Sequence, residues 1–83
     1  MILKKWNYEK HKYEPIEVSD DWNCITYSDD MKEVVNCPHC GKKIFFGETY
    51  TSKEIHTNLG FGYGVCEKCY EEEWERRRKY KED

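Results

Sequence analysis

Long hydrophobic runs are missing from this chain. Only 37% of its 83 residues are hydrophobic, an equal share is charged, and mean hydropathy is −1.09. The longest apolar runs are pairs and triplets such as Ile44-Phe45-Phe46, whereas a membrane-spanning helix needs about 20 apolar residues. The first six residues also lack the apolar stretch of a secretory signal. We therefore expect a cytoplasmic protein without membrane contact, in which thiols stay reduced.

An excess of positive charge is missing as well. The formal net charge is −3. Nucleic-acid binding without sequence preference depends on neutralising phosphates, so this balance disfavours it. The acidic segment, residues 14–33, carries a formal −6. We interpret it as a solvated surface or as a mimic of nucleic-acid charge that fits a partner with a basic surface.

Aliphatic residues are scarce, so the core must be small. A chain of 83 residues has room for one domain, and domains of this size often need a metal, a disulfide or a partner. Thirteen residues are Trp, Tyr or Phe, and such side chains supply much buried area per residue. We predict a single domain over 1–83, with a β-rich part over 1–36 and, over 37–83, a part that contains four of the five cysteines.

β-Forming residues alternate with turn residues through the first two thirds of the chain. The pattern predicts strands over 3–8, 12–18 and 22–28, a reversal at 9–11 and a central β-hairpin over 42–65. Pro15 marks its strand as an edge strand. In the return strand of the central hairpin, 59–65, three glycines fall on one face. That face should let another backbone, from the helix or the N-terminal strands, approach closely.

One segment has the features of a helix, which we predict from Glu67 to about Lys79. Acidic residues lie near its N-terminus and basic residues near its C-terminus, as the helix dipole favours. Three i,i+4 pairs should stabilise it, namely Glu72–Arg76, Glu73–Arg77 and Glu75–Lys79. Tyr70 and Trp74 form one apolar stripe. The fold class predicted is a small α+β domain with N-terminal β-strands, a central β-hairpin and one C-terminal α-helix.

Two Cys-x-x-Cys pairs carry the strongest chemical signal. They are Cys37-Pro38-His39-Cys40-Gly41 and Cys66-Glu67-Lys68-Cys69, with 25 residues between them. Cysteines three positions apart can direct both sulfurs to one side of a tight turn, where Gly41 accepts a left-handed conformation. Four thiolates form a closed tetrahedral shell for zinc, without an open position for water.

We therefore predict one structural zinc ion bound by Cys37, Cys40, Cys66 and Cys69. An iron site of the rubredoxin kind is the alternative, although such sites have a glycine after both pairs and Cys69 is followed by Tyr70.

A Cys-Pro-x-Cys-Gly knuckle, a β-hairpin and a second pair at the start of a helix resemble the treble-clef class of zinc finger. The resemblance covers roughly residues 34–80. It implies that Cys37 and Cys40 are knuckle ligands and that Cys66 and Cys69 bind from the helix start, where the dipole would favour the thiolate of Cys69. The class serves nucleic acids, proteins and catalysis alike. In size and acidity the whole chain also resembles small phage or mobile-element proteins, among them zinc-containing anti-CRISPR inhibitors.

Other reactive residues have simpler interpretations. His39 lies between the knuckle cysteines, and we expect it to face solvent. Cys24 stands outside both pairs and is expected to be a small core residue. The basic run 76–79 is expected to pair with the glutamates one turn earlier in its own helix.

These features favour a protein that acts by binding. Catalysis needs titratable groups that converge in a cleft, and the sequence offers no such set, so we predict no enzyme activity and no small-molecule substrate. The leading hypothesis is a non-enzymatic, zinc-binding protein-interaction module. In its most specific form it is a phage or mobile-element inhibitor, anti-CRISPR-like, that docks on a larger nucleic-acid-handling host protein through the acidic segment and exposed aromatic residues such as Trp6, Trp22 and Tyr27.

The alternative hypothesis is a nucleic-acid-binding zinc finger. It would use the basic end of the helix, residues 76–81, together with Lys42, Lys43 and Tyr80. Such a protein should bind DNA or RNA with a strong dependence on salt.

Overall fold

The strands occupy the sequence up to residue 65, and the charged segment that follows forms the helix. The computed structural model describes residues 1–80 and, at residue 80, the backbone alone. Its elements are β1 (Ile2–Asn7), β2 (Lys12–Glu17), β3 (Val34–Asn36), β4 (Lys43–Phe45), β5 (Tyr50–His56), β6 (Gly62–Val65) and α1 (Glu67–Tyr80). The predicted α+β class is confirmed. Over the range described, no helix combines the length and the apolar character needed to cross a bilayer.

All strand pairs are antiparallel. A four-stranded sheet has the order β2-β1-β5-β6, and β3 and β4 form a separate two-stranded sheet. β1 joins the N-terminal hairpin to β5, with Lys4 opposite His56 and Lys5 opposite Ile55. Helix α1 packs against β5. The large sheet therefore combines strands from both halves of the sequence.

The β1–β2 hairpin forms where the sequence predicted it. His11 closes the reversal in a left-handed conformation, with a φ of 54°. Met1 and Val18 exchange both backbone hydrogen bonds, at 2.9 and 3.1 Å, and such pairs alternate with non-bonded pairs along an antiparallel ladder. Pro15, opposite Lys4, therefore occupies a non-bonded position, at which the backbone nitrogen and carbonyl of β2 point away from β1. As predicted, its strand is an edge strand, and the missing N–H costs no ladder bond.

The strand predicted over 22–28 is wrong, because this segment contains no strand. It forms single backbone hydrogen bonds instead. The carbonyl of Asn23 accepts from the amide of Asn36 (2.9 Å), and the carbonyl of Ile25 accepts from the amide of Gly64 (3.0 Å). Since Asn36 belongs to β3 and Gly64 to β6, the segment bridges the two sheets.

The central hairpin predicted over 42–65 is confirmed over 50–65, but its predicted first part, around Ile44 and Phe45, belongs to another hairpin. Ile44 and Phe45 pair with β3, where Val35 and Val34 lie opposite them, and the hairpin partner of β6 is β5. The reason is local. The turn that ends at Gly41 brings β3 and β4 together over a very short loop, whereas pairing with β6 would have to close a longer one.

Two glycines of β6 lie where β5 approaches most closely. A Cβ atom on Gly62 would overlap the backbone carbonyl oxygen of Ser52, and one on Gly64 would lie 2.8 Å from Oγ1 of Thr49. The β5–β6 register is irregular between these contacts. The close approach expected at the glycine face is confirmed, but the approaching chain is β5 and the residue before it, not the helix or the N-terminal strands.

The buried apolar residues are few and centre on the cysteines. One cluster consists of Cys37, Val65, Cys66 and Cys69, with Ile44 and Tyr70 packed against it. Leu3 and Ile55 are buried on the adjacent strands β1 and β5. The predicted metal site and the main apolar core are therefore the same place.

Helix α1 has the predicted bounds, but its charged side chains have other partners. Arg76 donates two hydrogen bonds to Glu54 on β5, at 2.6 and 3.0 Å, instead of pairing with Glu72. Glu73 is buried against β5 instead of pairing with Arg77. The pairs predicted for these two residues are wrong, because both side chains turn inward. The face of the helix that meets the sheet is thus polar.

Replacing Gly62 by alanine should destabilise the fold more than replacing Gly64 by alanine. The new methyl at position 62 meets backbone that cannot rotate away, whereas at position 64 it meets the Thr49 side chain. We expect a loss of about 2–3 kcal/mol for Gly62→Ala and a smaller loss for Gly64→Ala, measured by urea denaturation of the metal-loaded proteins. Equal losses would contradict the close backbone approach at Gly62.

Candidate metal centre

The four cysteines of the two pairs meet at one point. Their Sγ atoms all lie within 4.8 Å of one another. Cys37 and Cys40 come from the reversal between β3 and β4, and Cys66 and Cys69 from the junction of β6 with α1. Three of them are buried and Cys40 is exposed. The cluster therefore connects the small sheet to the edge of the large sheet and to the start of the helix.

Backbone hydrogen bonds hold the first pair in a tight turn. The amide of Gly41 donates to the carbonyl of Cys37 (2.7 Å), and the amide of Cys37 donates to the carbonyl of Lys42 (2.9 Å). Gly41 has a φ of 79°, the left-handed conformation predicted for it. A Cβ atom here would also lie 3.0 Å from the Trp22 ring. Gly41 is thus required by the turn and by the indole ring packed over it.

The second pair uses the start of the helix. Cys66 directly precedes α1 and Cys69 lies in its first turn, where the amide of Tyr70 donates to the carbonyl of Cys66 (3.0 Å). The Sγ atoms of Cys40 and Cys66 are 3.7 Å apart. Four sulfurs at about 2.3 Å from a central ion have an edge of about 3.8 Å. The spacing across the two pairs therefore fits a tetrahedral metal ion.

The crowded thiols change one another's acidity. Burial, followed by the neighbouring Cys66 and Cys37 sulfurs, raises the pKa of Cys69 well above its usual range, and burial raises the pKa of Cys37. Burial also acts to raise the pKa of Cys66, but hydrogen bonds from the Cys69 backbone and thiol outweigh it and lower that pKa.

The effect of the helix N-terminus on Cys69 stays a prediction. In the absence of a cation, burial and the three other sulfurs that crowd this side chain oppose it. A divalent cation bound among the sulfurs would instead lower the pKa of the thiols, because it stabilises all four thiolates at once.

Cys24 lies near the cluster but outside it. Its side chain is half-buried, and the group of sulfurs within 4.8 Å of one another does not include it. Burial, and then the charge of Cys37, raises the pKa of Cys24. Because of the position of Cys24 outside this group, the donor set consists of the four paired cysteines.

His39 does not face solvent, contrary to the prediction. Its side chain is 10% exposed, and its Nε2 lies 3.0 Å from Oε2 of Glu73 and 3.6 Å from Oε1 of Glu54. The middle residues of a knuckle point away from the metal. In this fold that direction leads to β5 and α1 instead of to water.

Glu73 receives three hydrogen bonds although it is buried. The hydroxyl of Ser52 donates to it at 2.6 Å, the amide of Lys53 donates at 2.9 Å, and His39 lies at 3.0 Å. Burial acts to raise the pKa of Glu73, but the bonds from His39, Ser52 and Lys53 outweigh it and hold that pKa below its usual range. This carboxylate therefore links the knuckle, β5 and the helix.

A second buried carboxylate, Glu54, lies beside it. Arg76 binds Glu54 through two hydrogen bonds, and Nζ of Lys5 lies 3.6 Å from it. Burial, and then the charges of Glu54 and Glu73, raises the pKa of nearby Tyr8 to about 12. Together we call Lys5, His39, Glu54, Glu73 and Arg76 the buried charge network.

Sequence reasoning missed this network, although two signals for it exist. Ser52 and Glu54 are two positions apart in β5 and so share one face. Glu73 follows Cys69 by four positions in α1 and so shares the face that Cys69 directs toward the protein interior. Polar side chains at these positions of β5 and α1 indicate that the two elements meet through hydrogen bonds rather than through apolar contacts.

No protein-family model, no curated protein and no solved structure matches this chain. The comparisons thus lend no support to a relationship with phage inhibitors. The treble-clef resemblance depends on the arrangement itself, in which a knuckle lies at the tip of a hairpin and a second pair at the start of a helix.

Replacing Glu73 by glutamine should lower the free energy of unfolding by about 3 kcal/mol at pH 7, because it removes a buried charge whose partners remain. Urea denaturation at a fixed metal concentration measures this, with the exposed Glu71→Gln as the control. Because the pKa of Glu73 is lower in the folded protein, its carboxylate stabilises the fold fully above the ordinary pKa of 4.5. This stabilisation is lost as the pH falls through the lower pKa of the folded state. Wild type and Glu73→Gln should therefore converge in acid; equal stability at pH 7 would contradict the network.

Removing Cys24 should leave the metal site intact. We expect Cys24→Ala to keep the same metal content as the wild type, at a modest cost in stability. Cys37→Ala should lose both metal and fold, because the binding free energy of a structural zinc site, on the order of 10 kcal/mol, is also folding free energy. Elemental analysis and circular dichroism measure the two outcomes. Loss of metal from Cys24→Ala would mean that the donor set has been misassigned.

Proposed function

We propose that this chain is a non-enzymatic protein-interaction module stabilised by one zinc ion. The choice of zinc follows from ligand chemistry, since four thiolates in a closed tetrahedral set are typical of structural zinc. Iron is the competing ion for such a set. Elemental analysis of protein purified without added metal should give close to one equivalent of zinc, whereas a red, iron-loaded protein would overturn the choice.

The use of the buried titratable groups supports a binding role. Glu54 is engaged by Arg76, and Glu73 by Ser52 and the amide of Lys53. A general base needs a group that can reach a substrate proton, and these carboxylates already accept fixed hydrogen bonds. A closed set of four thiolates likewise leaves no position on the ion for a reacting water.

The observation that carries the proposal is the attachment of the acidic segment to the hairpin that bears the knuckle. The amides of Phe46 and Gly47 donate to the carbonyls of Glu33 and Met31, both at 2.8 Å. Asn23 is bonded to β3 through its backbone and its side chain. The irregular part of the segment is thus held on a hairpin that a metal ion would close, which supports a preformed acidic surface.

The carboxylates of this surface are available for contact. Four aspartates of the segment are exposed, namely Asp20, Asp21, Asp29 and Asp30. Asp20 pairs with the N-terminal amino group, and the other three have local partners. Asp29 accepts from the hydroxyl of Tyr27 (2.7 Å), and Asp30 accepts from the amide of Lys32 (2.9 Å). Carboxylates gathered in this way repel one another, and a partner with a basic surface would relieve that repulsion.

In its most specific form, the proposal is that the protein inhibits a larger nucleic-acid-handling protein in the cytoplasm, as anti-CRISPR proteins encoded by phages do. The support is physical. A small anionic surface fixed on a rigid scaffold can occupy a groove that otherwise receives phosphates. Its size and its net charge of −3 suit that role.

Nucleic-acid binding is the second candidate, and one cluster favours it. Tyr70 stacks on Tyr50 with ring centroids 5.0 Å apart and meets Trp74 edge to face at 6.2 Å. The guanidinium of Arg77 and Nζ of Lys53 lie 4.4 and 5.5 Å from the Trp74 ring centroid. Aromatic and cationic side chains together are the elements of single-strand recognition.

The residues first considered for that function are only partly available. Arg76 is bound to Glu54. Lys42 and Lys43 are exposed. Lys81 and the side chain of Tyr80 lie outside the described residues.

Reversing the four exposed aspartates to lysine should slow association with the partner by about tenfold or more and reduce its salt dependence. The partner is captured on the metal-loaded protein from extracts of the native host, purified, and measured by biolayer interferometry at several salt concentrations. The control carries the same change in charge on the helix, at Glu67, Glu71, Glu72 and Glu75. Zinc content must be unchanged in both variants.

Equal effects of the two variants would contradict a role for the acidic segment. Labelled single- and double-stranded DNA should not bind at physiological salt. Salt-dependent binding of DNA that is lost in Trp74→Ala and Arg77→Ala would replace the proposal by the nucleic-acid alternative.

A further inference from the structure

We propose that the centre of the docking surface is an apolar patch on the outer face of the β3–β4 hairpin, and that it receives a basic amphipathic segment of the partner protein. The hairpin patch consists of Tyr27, Met31, Val34 and Phe45. This inference depends on the proposed function, because it identifies which part of the partner the module contacts.

The two strands of the hairpin divide their side chains between the core and solvent. Val35 is buried, and Ile44, opposite it, packs against the cysteine cluster. Val34 and Phe45 form the neighbouring pair, share the other face, and are 50% and 48% exposed. The fold therefore leaves about half of each of these two apolar side chains open to contact.

Tyr27 and Met31 lie near the open end of the hairpin. The carbonyl of Met31 accepts a hydrogen bond from Gly47 (2.8 Å), and the ring of Tyr27 meets that of Phe46 at 6.4 Å. The side chains of Tyr27 and Met31 are nevertheless 72% and 52% exposed. Two further exposed apolar side chains therefore lie close to Phe46 and Gly47, the residues that follow Phe45.

A chain so poor in hydrophobic residues exposes four of them on this hairpin or next to its open end. An exposed apolar cluster inside a polar rim is typical of a protein-binding site, and aromatic residues often supply much of the binding free energy. Leu59 and Phe61 are also exposed. They lie in the loop between β5 and β6, outside the hairpin patch, and so provide a matched control for the effect of any exposed apolar residue.

The rim determines which partner fits. Asp29 and Asp30 lie between Tyr27 and Met31 in sequence, and Glu48 follows Gly47; all three are exposed. Lys32 is the single cation between residues 27 and 35. An apolar centre with an acidic rim is complementary to a segment with an apolar stripe flanked by lysine or arginine.

The test uses a defined probe in place of the natural partner. It is a fluorescent peptide of about 18 residues, with leucines at i, i+3, i+4 and i+7 spacing and lysines elsewhere. Two control peptides replace all leucines by serine or all lysines by glutamate. Fluorescence anisotropy gives the dissociation constant for each metal-loaded protein.

The variants separate the patch from other exposed apolar residues. Tyr27→Ser with Phe45→Thr should weaken binding of the leucine–lysine peptide by about tenfold or more. The milder Val34→Thr, which keeps the shape and β-propensity of valine, should weaken it less. Leu59→Ser with Phe61→Thr should leave the dissociation constant within about twofold of wild type. Zinc content and circular dichroism must match the wild type throughout.

Any of the following results would overturn the inference. No binding of the leucine–lysine peptide by wild type, or equal losses in the patch and control variants, excludes the patch as the docking centre. Equal binding of the glutamate peptide excludes a basic partner. Self-association by analytical ultracentrifugation that disappears in the patch variants would make the occupant a second copy, and loss of DNA binding in them would make it a nucleic acid.

The two proposals can fail separately. If reversal of the aspartates slows binding of the captured partner but the patch variants bind that partner normally, the proposed function stands and the hairpin patch is wrong. If neither set of variants has an effect, both are wrong.

Discussion

The gathering of four sulfurs within 4.8 Å of one another is the constraint on which the rest of the structure depends. Neutral thiols this close gain little, and thiolates repel one another, so a bound cation would make the arrangement favourable. The same cysteines form the main apolar cluster with Val65. The metal site is therefore not an addition to an existing core. It positions the β3–β4 hairpin, the end of β6 and the start of α1, and through the hairpin the irregular part of the acidic segment.

The buried charge network is the second determinant of the architecture. Removing Glu54 and Glu73 from water costs several kcal/mol for each carboxylate before their partners are counted. Arg76, Ser52 and the amide of Lys53 offset this cost only at one position of the helix along β5. An apolar interface would tolerate small shifts of the helix, whereas these bonds would not. Since His39 belongs both to the knuckle and to the network, the geometry of the metal site and the position of the helix are fixed together.

The sequence predicted the features that depend on neighbouring residues. The two cysteine pairs, the left-handed Gly41, the bounds of α1 and the edge position of Pro15 all follow from local spacing or backbone chemistry. The errors concern distant partners. Ile44 and Phe45 have the same β-propensity whether they pair with β3 or with β6. The short loop of the knuckle determines that their partner is β3. His39 and Glu73 look like surface residues in sequence, and their burial follows from the way β5 and α1 meet over the knuckle.

Pro15 has a consequence for how the large sheet meets other molecules. The outward-facing backbone of β2 would invite an extended segment of another chain to add as a further strand. Pro15 has no N–H group, so the outward-facing row of N–H donors on β2 is interrupted at the middle of the strand. At the opposite border, the amide of Gly64 is already bonded to Ile25. Neither border of the large sheet offers an uninterrupted template, which disfavours the addition of a strand from another chain there.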